Sequence, residues 1–288
     1  MTVSYYPGCS LHSTGIEYDL SFKAVARALG VEMVELDDWN CCGASSAHGS
    51  SEFLSLALPL RNLVNAEAQG LPVLVPCAAC YNRLRVAHHE TVTGTQEARA
   101  ANDELQRLIG QDYKGRSRVI HPLEFLTAPA LVESIGASLK GGGLKGLKVC
   151  SYYGCLLQRP EEAVAFEDPD NPTSMDRLMD AAGAQAVDWS YKTDCCGAGL
   201  TMARQDVVSR LSTTVVEAAL EAGAEAIVTA CPLCHANLDT RQDPDGQRLP
   251  VYYFTELLGA AMGLDDVGKW VSKHLTEARR PLAMLDIL

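Results

Sequence analysis

No run of eighteen apolar residues and no low-complexity tract occurs in this sequence, which argues against a bilayer-spanning helix and against a disordered repeat. Basic residues are in short supply. The chain has 24 Lys and Arg against 36 Asp and Glu, a formal charge of −12, and no local basic cluster offsets it. Nucleic acid and anionic lipid are therefore poor partners, and membrane insertion is not expected. The N-terminal stretch lacks the basic and apolar segments of a secretory signal and the Arg-rich face of a transit peptide, so a cytoplasmic location is expected. With 288 residues, two domains of ordinary size are expected.

What the chain has in excess is cysteine, eleven in all. A disulfide framework suits neither a reducing compartment nor a chain this long, so metal binding or redox chemistry is the better reading. The positions repeat. Cys9 is followed after 31 residues by Cys41-Cys42 and after 34 more by Cys77-Ala78-Ala79-Cys80. Cys155 is followed after 39 residues by Cys195-Cys196 and after 34 more by Cys231-Pro232-Leu233-Cys234. The flanks repeat as well: Val3, Tyr6 and Gly8 match Val149, Tyr152 and Gly154, and Gly43-Ala44 matches Gly197-Ala198. Val119 to Leu126 has an echo in Val251 to Leu258. The chain thus reads as a duplication. Its join falls at Gly141-Gly142-Gly143, giving domains 1–143 and 144–288, and the extra residues of the second half fall in a loop between Arg159 and Thr173.

Within each half, β-favouring runs alternate with helical periodicity. Strands are expected over Val3–Tyr6, Val31–Leu36, Pro72–Val75 and Ser117–Ile120, then over Leu147–Tyr153, Ala186–Trp189, Ala226–Thr229 and Val251–Tyr253. Helices are expected over Glu17–Leu29, Glu52–Gln69, Ala79–His89, Thr173–Ala182, Met202–Ala222 and Pro232–Leu238. The fold class is α/β: two duplicated, pseudo-twofold-related small domains with mainly parallel sheets. Each cysteine group then follows a strand, where sites in open α/β sheets form. Each CxxC opens a helix, whose free N–H groups and dipole favour thiolate.

A CxxC alone does not separate zinc from iron–sulfur chemistry. Structural zinc takes four ligands, whereas each half offers five cysteines. Two of them are adjacent, a poor arrangement for chelating one small ion but suited to different metal atoms of a multinuclear cluster. A thioredoxin-like dithiol leaves Cys9, Cys155 and the Cys-Cys pairs unexplained, and simple buried thiols do not dictate a repeated pattern. Cys150, opposite Ser4 and inside an expected strand, is read as a core residue.

The doubled pattern Cys-x31-39-Cys-Cys-Gly-x34-Cys-x2-Cys resembles the cysteine-rich CCG domain as it occurs in the B component of heterodisulfide reductase, from about Val3 to Leu258. The resemblance implies two noncubane 4Fe-4S clusters. One would be held by Cys9, Cys41, Cys42, Cys77 and Cys80, and the other by Cys155, Cys195, Cys196, Cys231 and Cys234. It also implies a disulfide reduced, or formed, between the two clusters. Ferredoxin cassettes are absent, and no Gly-x-Gly-x-x-Gly joins a strand to a helix, so electrons are expected to pass through partners. In the resembled complex these are a ferredoxin-like C component and a flavin-bearing A component.

The alternative function is a non-catalytic electron-transfer subunit of a lactate- or glycolate-type oxidase complex, and a zinc-stabilised scaffold is a third reading. His12, His48, His235, Tyr5, Tyr6, Tyr152, Tyr153 and Lys192 lie near the cysteines in sequence and are candidates to assist a departing thiolate, though none is assigned a catalytic role. The apolar tail from Leu264 to Leu288 either docks a partner or packs on its own domain.

Overall fold

The structure, a computed structural model, describes residues 1–44 and 47–288. Two four-stranded sheets are built from consecutive stretches of chain. The first has the order β2-β1-β3-β4, with β1 (Thr2–Tyr5), β2 (Glu32–Glu35), β3 (Val73–Leu74) and β4 (Val119–Ile120). The second repeats it as β6-β5-β7-β8, with β5 (Lys148–Tyr152), β6 (Gln185–Ala186), β7 (Ala226–Thr229) and β8 (Val251–Tyr253). Every strand pair is parallel, as crossover helices between successive strands require.

The apolar runs explain which strands lie innermost. Val149 to Tyr152 and Ala226 to Thr229 are buried throughout because β5 and β7 are covered on both faces. The edge strand β2 carries Glu32 and Glu35 and is largely exposed. Several strands are shorter than their apolar runs predict; β3 and β4 hold only two residues each of the stretches expected to pair.

Helices Ile16–Ala28, Glu52–Gln69, Ala78–Thr93, Ser174–Ala181, Gln205–Glu221 and Pro232–Thr240 fall where periodicity puts them. Helix Gln96–Ile109 was not expected. Its buried stripe of Ala98, Ala101 and Leu105 is mostly alanine in a strongly polar segment, too weakly apolar to stand out. The tail forms short helices at Val267–Val271 and Arg279–Met284, and its Trp270, Val271 and Leu282 lie in the core. The tail therefore packs on its own chain, tied down by Tyr252 Oη donating to the carbonyl of Ala278 at 2.5 Å.

The halves interlock reciprocally. Helix Ile16–Ala28 packs on helix Phe254–Ala261 of the second half, and helix Ser174–Ala181 packs on Pro122–Leu126 and Pro129–Ala137 of the first. Ser21 and Thr255 share a buried hydrogen bond of 2.6 Å across this contact. The rings of Tyr18 and Tyr253 stack across it at 4.4 Å. At the join, Leu144 N donates to the carbonyl of Ala182 at 2.9 Å. Among the described residues no helix is long and apolar enough to cross a membrane.

Candidate metal centre

The sheet order places a reversal between β1 and β3, and between β5 and β7, where connections leave on opposite faces and a crevice opens at the strand ends. Each cysteine group gathers at that end. Cys9 follows β1, Cys41-Cys42 follows β2 and Cys77 follows β3; the second half repeats this with β5, β6 and β7. Cys77 and Cys231 cap their helices in extended conformation, and Pro232 occupies the first helical turn, where no N–H partner is needed.

The ten thiols expected to act together are brought together, in two equivalent groups. In the first, Cys41 Sγ lies 3.8 Å from Cys9 Sγ and Cys42 Sγ lies 3.2 Å from Cys80 Sγ, while Cys77 contacts Cys80. In the second, Cys196 Sγ lies 3.5 Å from Cys234 Sγ, Cys155 contacts Cys195 and Cys231 contacts Cys234. The groups meet where the thiols of Cys77 and Cys231 pair across the interface. Cys9, Cys41 and Cys195 are exposed at the outer edge, whereas both CxxC pairs are buried. Cys150 stands apart on β5, fully buried, and burial pushes its thiol up to about 12.

Protons are shared unevenly along the array. Hydrogen bonds from Cys41 and Cys80 hold the Cys42 thiol down to about 4, and one from Cys155 holds Cys195 down to about 6. Cys231 is lowered by donation from Cys234 and Cys77. The donors Cys41, Cys155 and Cys234 are correspondingly raised. Cys77 and Cys80 are raised as well, so thiolate, the form that binds metal, is favoured at Cys42 in the first group and at Cys195 and Cys231 in the second.

Three devices repeat around the thiols. Tyr6 Oη donates to the carbonyl of Asn40 at 2.9 Å and Tyr152 Oη to that of Asp194 at 2.5 Å, fixing the backbone just before each Cys-Cys pair. Gly43 N and Gly197 N point at Cys41 Sγ and Cys195 Sγ, at 3.4 and 3.3 Å. Gly8 and Gly154 have φ of +66° and +68°, and a Cβ there would stand 2.8 Å from Cys80 Sγ and 3.0 Å from Cys234 Sγ. Only glycine combines that backbone with that close approach. The donor set suits a polynuclear cluster in each half, because five converging thiols exceed what one tetrahedral ion uses.

The other candidates are dispersed. His12 is exposed, 3.6 Å from Glu35 and edge-on to Trp39. Tyr5 donates to Asp19 at 2.6 Å, and Tyr153 to Asp176 at 3.0 Å. Lys192 Nζ is buried against Asp176, at 3.1 Å, and Asn171. His235 stacks on Tyr253 at 4.2 Å and is held neutral, lowered to about 3 by burial. His48 bonds Arg83 at 2.9 Å.

Three residues near the array carried no sequence signal of their own. Arg83 places its charge beside Cys42. His121, fully buried, reaches the carbonyl of Pro76 at 3.0 Å, directly before Cys77, and its proximity to Cys231 follows only from the docking of the two halves. Tyr18 Oη donates to the carbonyl of Ala230, before Cys231, at 3.3 Å. His121 was in plain view within the repeated Val119 to Leu126 segment, but its repeat partner is Tyr253, so type matching passed over it.

A family model described as the cysteine-rich domain matches residues 3–85 and 149–239, and the chain belongs to that family. Over 92% of its length it is 30% identical to the B component of a ferredoxin/F(420)H(2)-dependent CoB-CoM heterodisulfide reductase of Methanosarcina acetivorans, covering 91% of that protein. A protein of Archaeoglobus profundus, named as similar to the B component of heterodisulfide reductase, is 28% identical over 90% of the chain and 89% of its own length. The 8-methylmenaquinol:fumarate reductase membrane anchor subunit of Wolinella succinogenes is 33% identical over 91% of the chain and 92% of its own. Among solved structures, a hypothetical protein from Helicobacter pylori superposes with a TM-score of 0.70 at 12% identity, over 95% of this chain and about half (51%) of that one. That likeness concerns the fold alone.

Proposed function

We propose that the chain is the catalytic iron–sulfur subunit of a heterodisulfide-reductase-like complex, a disulfide oxidoreductase. What supports this most is the meeting of two equivalent five-thiol groups at Cys77 and Cys231. Cys9, Cys41, Cys42, Cys77 and Cys80 would hold one cluster, and Cys155, Cys195, Cys196, Cys231 and Cys234 the other, both of the noncubane 4Fe-4S type. The two lie in domains 1–143 and 144–288.

When bound, such clusters supply iron centres that each take up and release one electron. Disulfide reduction consumes two electrons and two protons and yields two thiols, so a paired arrangement matches its stoichiometry. The protein's own residues do the rest: Tyr6 and Tyr152 hold the Cys-Cys loops, the helix N-termini favour thiolate, and the interlocked helices keep the groups apposed. Electrons come from two partners in a cytoplasmic complex, a ferredoxin-like C component and a flavin-bearing A component. Anaerobic holoprotein in its complex should oxidise a reduced viologen dye when given small mixed disulfides.

A second reading is favoured by the 33% identity to the fumarate reductase subunit. On it the chain relays electrons within a complex and cleaves no disulfide, as it would in a lactate- or glycolate-type oxidase complex. A complex whose clusters reduce normally but which ignores every disulfide offered selects that reading and contradicts the first.

A further inference from the structure

The internal repeat makes each position in one half the control for its counterpart in the other. Around the cysteines most of the surroundings match: Tyr6 with Tyr152, Gly8 with Gly154, Gly43 with Gly197. Among the positions that do not match, Asp38 and Lys192 are each engaged elsewhere, in ion pairs with Arg61 and Asp176, and two others change the charge directly beside the thiols. The third residue after the CxxC is Arg83 in the first half and Asn237 in the second. The residue before the Cys-Cys pair is Asn40 in the first and Asp194 in the second.

Both differences act on the thiols. Arg83 lies one helical turn beyond Cys80 and is partly buried; burial disfavours its charge, the nearby Cys42 thiolate opposes that, and the guanidinium in turn favours the thiolate. Arg83 is held in place by His48 Nδ1 at 2.9 Å. Asn237 instead directs its amide at Cys196, 3.2 Å from the carbonyl oxygen and 3.7 Å from Sγ, with no charge. In the second half the Asp194 carboxylate opposes the Cys195 thiolate. In the first half Asn40 is neutral and tied to Asn62 and Arg61. Arg83 is partly buried, so its charge is weakly screened, whereas Asp194 is exposed and acts by directly adjoining Cys195; each charge changes the energy of adding an electron to the nearby centre.

We propose that Arg83 and Asp194 make the two otherwise equivalent centres unequal, so that the first half's cluster has the higher reduction potential and accepts an electron before the second. This rests on the iron–sulfur reading above. Arg83 and Asp194 act through the cluster ligands and are positioning residues. The device gives electron flow a direction within the chain: electrons collect first at the Cys9 to Cys80 group.

The test is a dithionite titration of the anaerobic holoprotein, followed by electron paramagnetic resonance and visible absorption, with iron and sulfide measured on each sample. The wild type should show two resolved one-electron midpoints. Asp194→Asn, an exposed and isosteric change, should raise the lower midpoint. Arg83→Gln should lower the higher one while Arg83→Lys keeps it. The Arg83→Gln shift should amount to about tenfold in the equilibrium constant, ~59 mV for one electron, and the Asp194→Asn shift, from an exposed charge, to less. Unmoved midpoints in both neutral variants at full iron content overturn the inference, as does one unresolved wild-type transition. If Arg83→Gln loses iron, Asp194→Asn decides alone. A wild-type protein without iron and sulfide overturns the iron–sulfur reading and this inference with it.

Discussion

The phenol of Tyr6 donates a 2.9 Å hydrogen bond to the carbonyl of Asn40, so the end of β1 holds the loop that delivers Cys41 and Cys42. Tyr152 and Asp194 repeat the contact at 2.5 Å. The Asn40 carbonyl also accepts from Asn62 Nδ2 at 2.9 Å. Tyr6→Phe should therefore cost about 1 kcal/mol or less, and Tyr152→Phe about 1 kcal/mol or slightly more, by denaturant unfolding of anaerobic protein. Equal and negligible effects of both would show that these tyrosines only fill space.

Alanine at Gly8 or Gly154 combines a left-handed backbone with a Cβ pressed onto a cysteine sulfur. Gly30 has a similar φ of +72° but nothing within 4 Å, which makes Gly30→Ala the control for backbone strain alone. Gly30→Ala should cost about 1 kcal/mol. Gly8→Ala and Gly154→Ala should cost more and also lower the iron content. Indistinguishable stabilities and iron contents for the three variants would contradict the close packing at Cys80 and Cys234.

His274 and Glu256 form a buried ion pair at 3.0 Å, and Glu256 also accepts from Tyr253 N at 2.9 Å. Burial alone would lower the His274 pKa, but the Glu256 carboxylate overrides it and raises it. A raised folded-state pKa gives stability that is full below the unfolded value of about 6.5 and is lost as pH rises through the folded value. His121 and His235 act the other way, since burial lowers them to about 4 and about 3, and their neutral burial costs stability as pH falls below about 6.5. His274→Gln should flatten the alkaline limb of the wild-type stability profile and also soften the acid limb, because the His274 charge adds to the burial that lowers His235. An unchanged alkaline limb would rule out a charged His274 in the fold.

Cys150→Ser should keep full iron content, because Cys150 lies buried on β5 outside both thiol groups. Cys80→Ser and Cys234→Ser, each removing one thiol from a group, should each lose about half of the iron. Metal analysis of the three variants checks this, and iron loss in Cys150→Ser alone would misplace the centre.

The duplication was legible because metal-type chemistry allows little variation in cysteine spacing, and the order of strands and helices followed from apolar runs between polar turns. Glu52–Gln69, Ala226–Thr229 and Val251–Tyr253 have the bounds their residues predict. The ends of β3 and β4 were not legible, since the ladder covers only Val73 with Val119 and Leu74 with Ile120 although the apolar run continues to Val75. Contacts between halves were out of reach for a different reason. Nothing local in Tyr18, His121 or Cys77 encodes that helix Ile16–Ala28 docks on helix Phe254–Ala261, one of the contacts between halves that bring Cys77 to Cys231. Arg83 was passed over because a lone arginine after a CxxC has no pattern; only comparison with Asn237 gives it meaning.

The central claim is tested most directly by counting iron and acid-labile sulfide in protein purified without oxygen. Two polynuclear centres predict about eight of each per chain, with a brown absorption that dithionite bleaches. A colourless protein carrying one zinc per half and no sulfide would contradict the account.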